Sequence, residues 1–64
     1  MATLNVTPVS EKLPQLRYEL SWRYGCKVWM YTVDEWDNTV TLHGYTAGSL
    51  HDIARILKRD GLVV

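Results

Sequence analysis

A single cysteine, Cys26, stands in a chain of 64 residues, so no intrachain disulfide can form and the fold depends on what its apolar side chains bury. A chain of this length buries only about 60% of its unfolded surface, which limits stability to roughly 0.05–0.15 kcal/mol per residue. A lone thiol cannot build a thiolate cage around a metal, and it suits a reducing compartment. With 47% hydrophobic residues and seven Lys+Arg against seven Asp+Glu, the composition is that of an ordinary globular domain over residues 1–64. No apolar run approaches the roughly 18–20 residues of a spanning helix. The opening MATLNVTPVSEK lacks the basic segment and apolar core of a signal peptide. The sequence therefore predicts a cytoplasmic protein with no membrane partner.

The hydropathy pattern has two periods. From Leu16 it alternates strictly, with Leu16, Tyr18, Leu20 and Trp22 on one side and Arg17, Glu19, Ser21 and Arg23 on the other, as in a half-buried strand. Tyr24-Gly25 then reads as a two-residue turn into a second strand over Lys27 to Asp34, pairing Leu20 with Trp29, Tyr18 with Tyr31 and Leu16 with Val33. A four-residue loop, Glu35-Trp36-Asp37-Asn38, leads to a third strand and pairs Val33 with Val40 and Tyr31 with Leu42. After Tyr45 the period becomes helical: Leu50, Ile53, Ala54 and Leu57 share one face, and His51, Asp52, Arg55, Lys58 and Arg59 lie on the other. Ser49 with Asp52, or Thr46, suits the helix start, and Gly61-Leu62 suits a stop in which Leu62 folds back on Leu57.

The expected fold class is α+β: an irregular segment over 1–14 with a possible short extra strand at Thr3–Thr7, a three-stranded antiparallel meander over 15–45, and one helix over 49–60 on one sheet face. This β-β-β-α order places Trp22, Trp29 and Tyr31 in the core with Ile53 and Leu57. The other face, with Arg17, Arg23, Val28, Met30, His43 and Tyr45, is left open.

Candidate chemistry is sparse. Cys26 and His43 are the only thiol and imidazole that could form a nucleophile–base pair on the sheet, and the register sets them apart, with His43 facing Met30. His43 and His51 lie on a strand and a helix without further ligands, so no metal is expected. The acids Asp34, Glu35 and Asp37 lack the donor spacing of a calcium loop. Gly25, Gly44, Gly48 and Gly61 are too dispersed for a phosphate loop, and Gly44, inside a strand, suggests a bulge or room for the Trp29 indole. No cofactor is expected, and the chain reads as non-enzymatic.

Trp36 lies in a polar loop between Glu35 and Asp37, either as a lid on the sheet end or as an interfacial contact. Val28 and Met30 form an apolar centre on the open face, rimmed by Arg17, Arg23, His43 and Tyr45. These seven residues, Trp36 included, are the expected partner-binding set. They suggest a small module that binds a protein or itself, such as a regulator or inhibitor encoded by a phage or mobile element.

The order of three antiparallel strands and a helix, over about Leu16 to Lys58, resembles the arm-type DNA-binding domains of tyrosine recombinases and the plant ethylene-response-type DNA-binding domains. Val40-Thr41-Leu42-His43-Gly44-Tyr45-Thr46 echoes the end of their third strand. The resemblance implies the alternative function, nucleic-acid binding through the open sheet face. The sequence departs from it in net charge, which is zero, and in placing Glu19, Val28 and Met30 mid-face with only Arg17 and Arg23 basic.

Overall fold

A computed structural model describes residues 1–64. The elements run β1 (Ala2–Val6), a 3₁₀ turn (Ser10–Lys12), α1 (Leu13–Trp22), β2 (Val28–Asp34), β3 (Thr39–Gly44) and α2 (Ala47–Arg59). The class is α+β with a three-stranded antiparallel sheet, as expected, but one strand is a different segment. The strand order is β1-β3-β2, and β3 pairs antiparallel with both neighbours. β1 and β2 are therefore parallel, and α1 carries the chain from one to the other in a split β-α-β arrangement.

The segment read as a first strand, Leu16 to Arg23, is helical through Trp22. Leu16 and Leu20 satisfy a period of two, but together with Leu13 they also fall at i, i+3 and i+7, and Pro14 occupies the first turn, where its missing N–H costs nothing. Burial follows the helical period: Leu16 and Leu20 are buried, whereas Tyr18 is 62% and Trp22 78% exposed. The hairpin at Tyr24-Gly25, with its pairings of Leu20 to Trp29, Tyr18 to Tyr31 and Leu16 to Val33, does not form. The Tyr24 carbonyl instead accepts from the Lys27 and Val28 amides, turning the chain from α1 into β2. The N-terminal segment, expected to be irregular apart from a possible short strand at Thr3–Thr7, does form that strand, at Ala2–Val6, and it completes the sheet, pairing Ala2 with Gly44, Leu4 with Leu42 and Val6 with Val40. The β-β-β-α layout of the two DNA-binding families is thus replaced by β-α-β-β-α.

The second hairpin has the expected register, with Tyr31 opposite Leu42, Val33 opposite Val40 and Met30 opposite His43. The ladder shifts between Val28 and Met30, so the bulge lies at Trp29, on the strand facing Gly44. Gly44 is required by close packing. An added Cβ would lie 2.7 Å from the Lys27 carbonyl oxygen and 2.8 Å from Leu50 Cδ2.

Both helices share one core with one side of the sheet: Leu16, Leu20 and Tyr24 meet Val28, Val40, Leu42, Leu50, Ile53, Leu57, Leu62 and Val63. Ile53 and Leu57 are in the core as expected, and Tyr31 packs against its margin. Trp22 and Trp29 are outside it. α2 starts at Ala47 rather than after Ser49, because Thr46 Oγ1 accepts from the Ser49 amide at 3.2 Å. It ends in a Schellman turn. Gly61 takes φ 76°, its amide bonds to the Lys58 carbonyl, and the Leu62 amide reaches back to the Leu57 carbonyl at 3.0 Å.

Candidate interaction surface

With both helices on one side, the other side of the sheet has no layer over it. The outward positions are fixed by alternation: Thr3 and Asn5 on β1, Thr39, Thr41 and His43 on β3, and Met30, Thr32 and Asp34 on β2. Most of this surface is short and polar. Thr41 donates to Asn5 Oδ1 at 2.8 Å, and the Thr32 hydroxyl lies 3.3 Å from His43 Nε2. One end is apolar. The bulge turns Trp29 out of the alternation, and its ring packs against the His43 imidazole, with centroids 5.6 Å apart and planes tilted by 43°. Met30 lies directly opposite His43. Trp29 is 42% and Met30 45% exposed, so each is half-seated on the sheet and half open to contact.

The expected site residues divide into two groups. Met30 and His43 are on the open face as predicted. Val28 is a correction: it precedes the bulge, points the other way and is buried in the core. Arg17 belongs to α1 and reaches only the β2 edge of the sheet, and Arg23, just past the end of α1, pairs with Glu19 at 3.2 Å; neither is on the open face. Tyr45 is exposed just past the end of β3. Trp29, which the sequence reading assigns to the core, joins the face instead. The available signal was Gly44, which pointed to a bulge nearby without showing that the partner strand would carry it.

Trp36 is not a lid. At 98% exposure it stands clear of the core, at the tip of the turn between β2 and β3. The turn beneath it is well braced. Asp34 Oδ1 accepts from the amides of Trp36 and Asp37 at 3.0 and 3.2 Å. Asn38 takes φ 51°, and its side-chain amide donates to the Pro8 carbonyl oxygen at 3.2 Å, tying the turn to the N-terminal segment. A shallow groove lined by Arg17, Thr32, Val33, Asp34, Glu35 and Trp36 runs from this tip around the β2 edge.

Charge on the open face is limited to Asp34, with His43 the one titratable nitrogen. The thiol and the imidazoles are dispersed: Cys26 is exposed in the connection after α1, His43 is engaged by Thr32 and Trp29, and His51 is on the outer side of α2. No helix is long and apolar enough to cross a membrane. Comparison of the chain with protein-family models, with curated proteins and with solved structures finds no match in any of the three.

Proposed function

We propose that this chain is a non-enzymatic protein-binding module whose contact surface is the uncovered sheet face, centred on Trp29, Met30 and His43, with Trp36 as an outlying anchor. The observation that carries this reading is the half-exposed Trp29–Met30 pair at one end of an otherwise threonine-rich sheet. An aromatic and a methionine within a polar surround match the apolar centre and hydrated rim of a protein interface. Trp36 adds a large rigid side chain on a braced turn, so little entropy is lost when it docks. The alternative, nucleic-acid binding by the same face, is weakened because the three strands carry no lysine or arginine, Arg23 lies just past α1, and Arg17 of α1 reaches only the groove at the β2 edge. A cytoplasmic regulator or inhibitor of the kind that phages and mobile elements encode fits a compact chain with a free, exposed Cys26 and no disulfide.

The substitution Met30→Lys tests this reading. Its side chain points away from both helices, so the melting transition should be retained. Affinity for a protein captured with the native chain should fall about thirtyfold or more, because an ammonium would be buried without a partner. Unchanged affinity would exclude the sheet face. Binding of duplex DNA that falls steeply with salt would establish the alternative.

A further inference from the structure

The two edges of the sheet are protected very differently. The outer edge of β2 is broken by the Trp29 bulge and flanked by Lys27 and Asp34, which are among the usual defences against strand addition. The outer edge of β1 has none of them. Ala2-Thr3-Leu4-Asn5-Val6 contains no charge, glycine, proline or bulge. Farther along the same edge, Leu62–Val64 already pairs with Thr7–Val9: the Val9 amide donates to Leu62 and the Val64 amide to Thr7, at 3.0 and 2.8 Å. Odd-numbered backbone groups therefore point to this edge, and by the strand's alternation those of Thr3 and Asn5 point outward beside them without a strand to receive them.

We propose that this edge pairs with the same edge of a second copy, antiparallel about a two-fold axis at Leu4, giving a continuous six-stranded sheet. In that register all five residues of β1 are paired and the pattern is self-complementary along its whole length. Leu4 meets its own copy, Ala2 meets Val6, and Thr3 meets Asn5, so apolar residues continue the core side and polar residues the outer side of both sheets. With no charge in the strand, the two copies meet without repulsion. The helix above is compatible. α2 packs over β1 and β3, and Asp52, Arg55, Ile56 and Arg59 line its flank toward Lys27. The opposite flank, bordering the free edge, carries Ala47, His51, Ala54 and Lys58, two of them small. This association is separate from the proposed protein-binding face, which stays open on the outer side of the joined sheet.

Sedimentation equilibrium of the full chain over a wide concentration range tests the proposal. A reversible monomer–dimer equilibrium is expected. Thr3→Lys combined with Asn5→Lys places two symmetry-related like-charge pairs across the junction and should weaken the dimer about tenfold or more. Thr3→Lys combined with Asn5→Glu makes the same pairs opposite in charge and should restore it. Each double variant replaces the Asn5 amide oxygen that accepts from the Thr41 hydroxyl, so the melting transition of each is measured beside its association, and the difference in association reports the register. Thr3→Pro removes an outward amide and should also give a monomer with its melting transition intact. If that variant fails to fold, the charge pairs decide. A chain that stays monomeric throughout would overturn the proposal, as would a dimer equally stable in both charge variants. A dimer lost on Met30→Lys alone would instead move self-association to the sheet face.

Discussion

The two helices cover the same sheet by different means. α2 buries Leu50, Ile53 and Leu57, is capped by the Thr46 side chain at one end and is closed by the Gly61 turn at the other. α1 buries Leu16 and Leu20, has no side-chain cap, and presents Tyr18 and Trp22 to solvent, their ring centroids 6.3 Å apart. The contrast separates two sources of helical order. α2 has local signals and tertiary burial in agreement, whereas α1 depends mainly on the sheet beneath it.

The comparison can be tested where it should matter most. Leu57→Ala opens a cavity where α2 meets the sheet. At about 2–5 kcal/mol it should remove most of the stability of so small a chain, leaving no cooperative thermal transition by circular dichroism. A clear transition would mean that α2 is not the principal support. Thr46→Ala removes the cap and should cost about 1 kcal/mol, read as a lower denaturation midpoint at unchanged slope. Trp22→Ala should change stability by no more than about 0.5 kcal/mol, the scale of an exposed i,i+4 pair. A large loss on that last substitution would put Trp22 back among core residues and contradict the helical assignment of Leu13–Trp22.

The sequence makes some of this legible and disguises the rest. The helical stripe at Leu50, Ile53 and Leu57 is unmistakable because no other period fits it. The register of β2 on β3 follows from a loop of fixed length between matched apolar residues, and Met30 and His43 follow from that register. The segment Leu16 to Trp22 misleads because Leu16 and Leu20, four apart, satisfy both periods. The aromatic rings of Tyr18 and Trp22 then tip the alternation toward a strand. The competing signal was present in Leu13 and in Pro14 at the first turn. Pro8, two residues past Val6, limits the N-terminal strand without disrupting it, so the short strand expected at Thr3–Thr7 forms as Ala2–Val6. That one exchange of strand for helix moved Arg17 and Arg23 off the candidate face, while the bulge sent Val28 inward and Trp29 outward. Trp36 was visible as an outlier, but choosing between lid and anchor required the Asp34-braced turn that holds it away from the core.

The central position of β3 also bears on how the chain is made. During synthesis β1 emerges before the other strands, yet its neighbour in the sheet, β3, ends at Gly44, 38 positions beyond Val6. At roughly 5–20 residues per second the nascent strand waits for seconds before a partner exists. Meanwhile β2 and β3, joined by a short turn, can zip together as soon as they leave the ribosome. β1, translated ahead of the other two strands, is the last of them to be paired, and it has no charged residue to discourage other chains until then. Crowding on a polysome would thus fall hardest on residues 2–6, and a gatekeeping charge placed there should raise the yield of native chain at high expression.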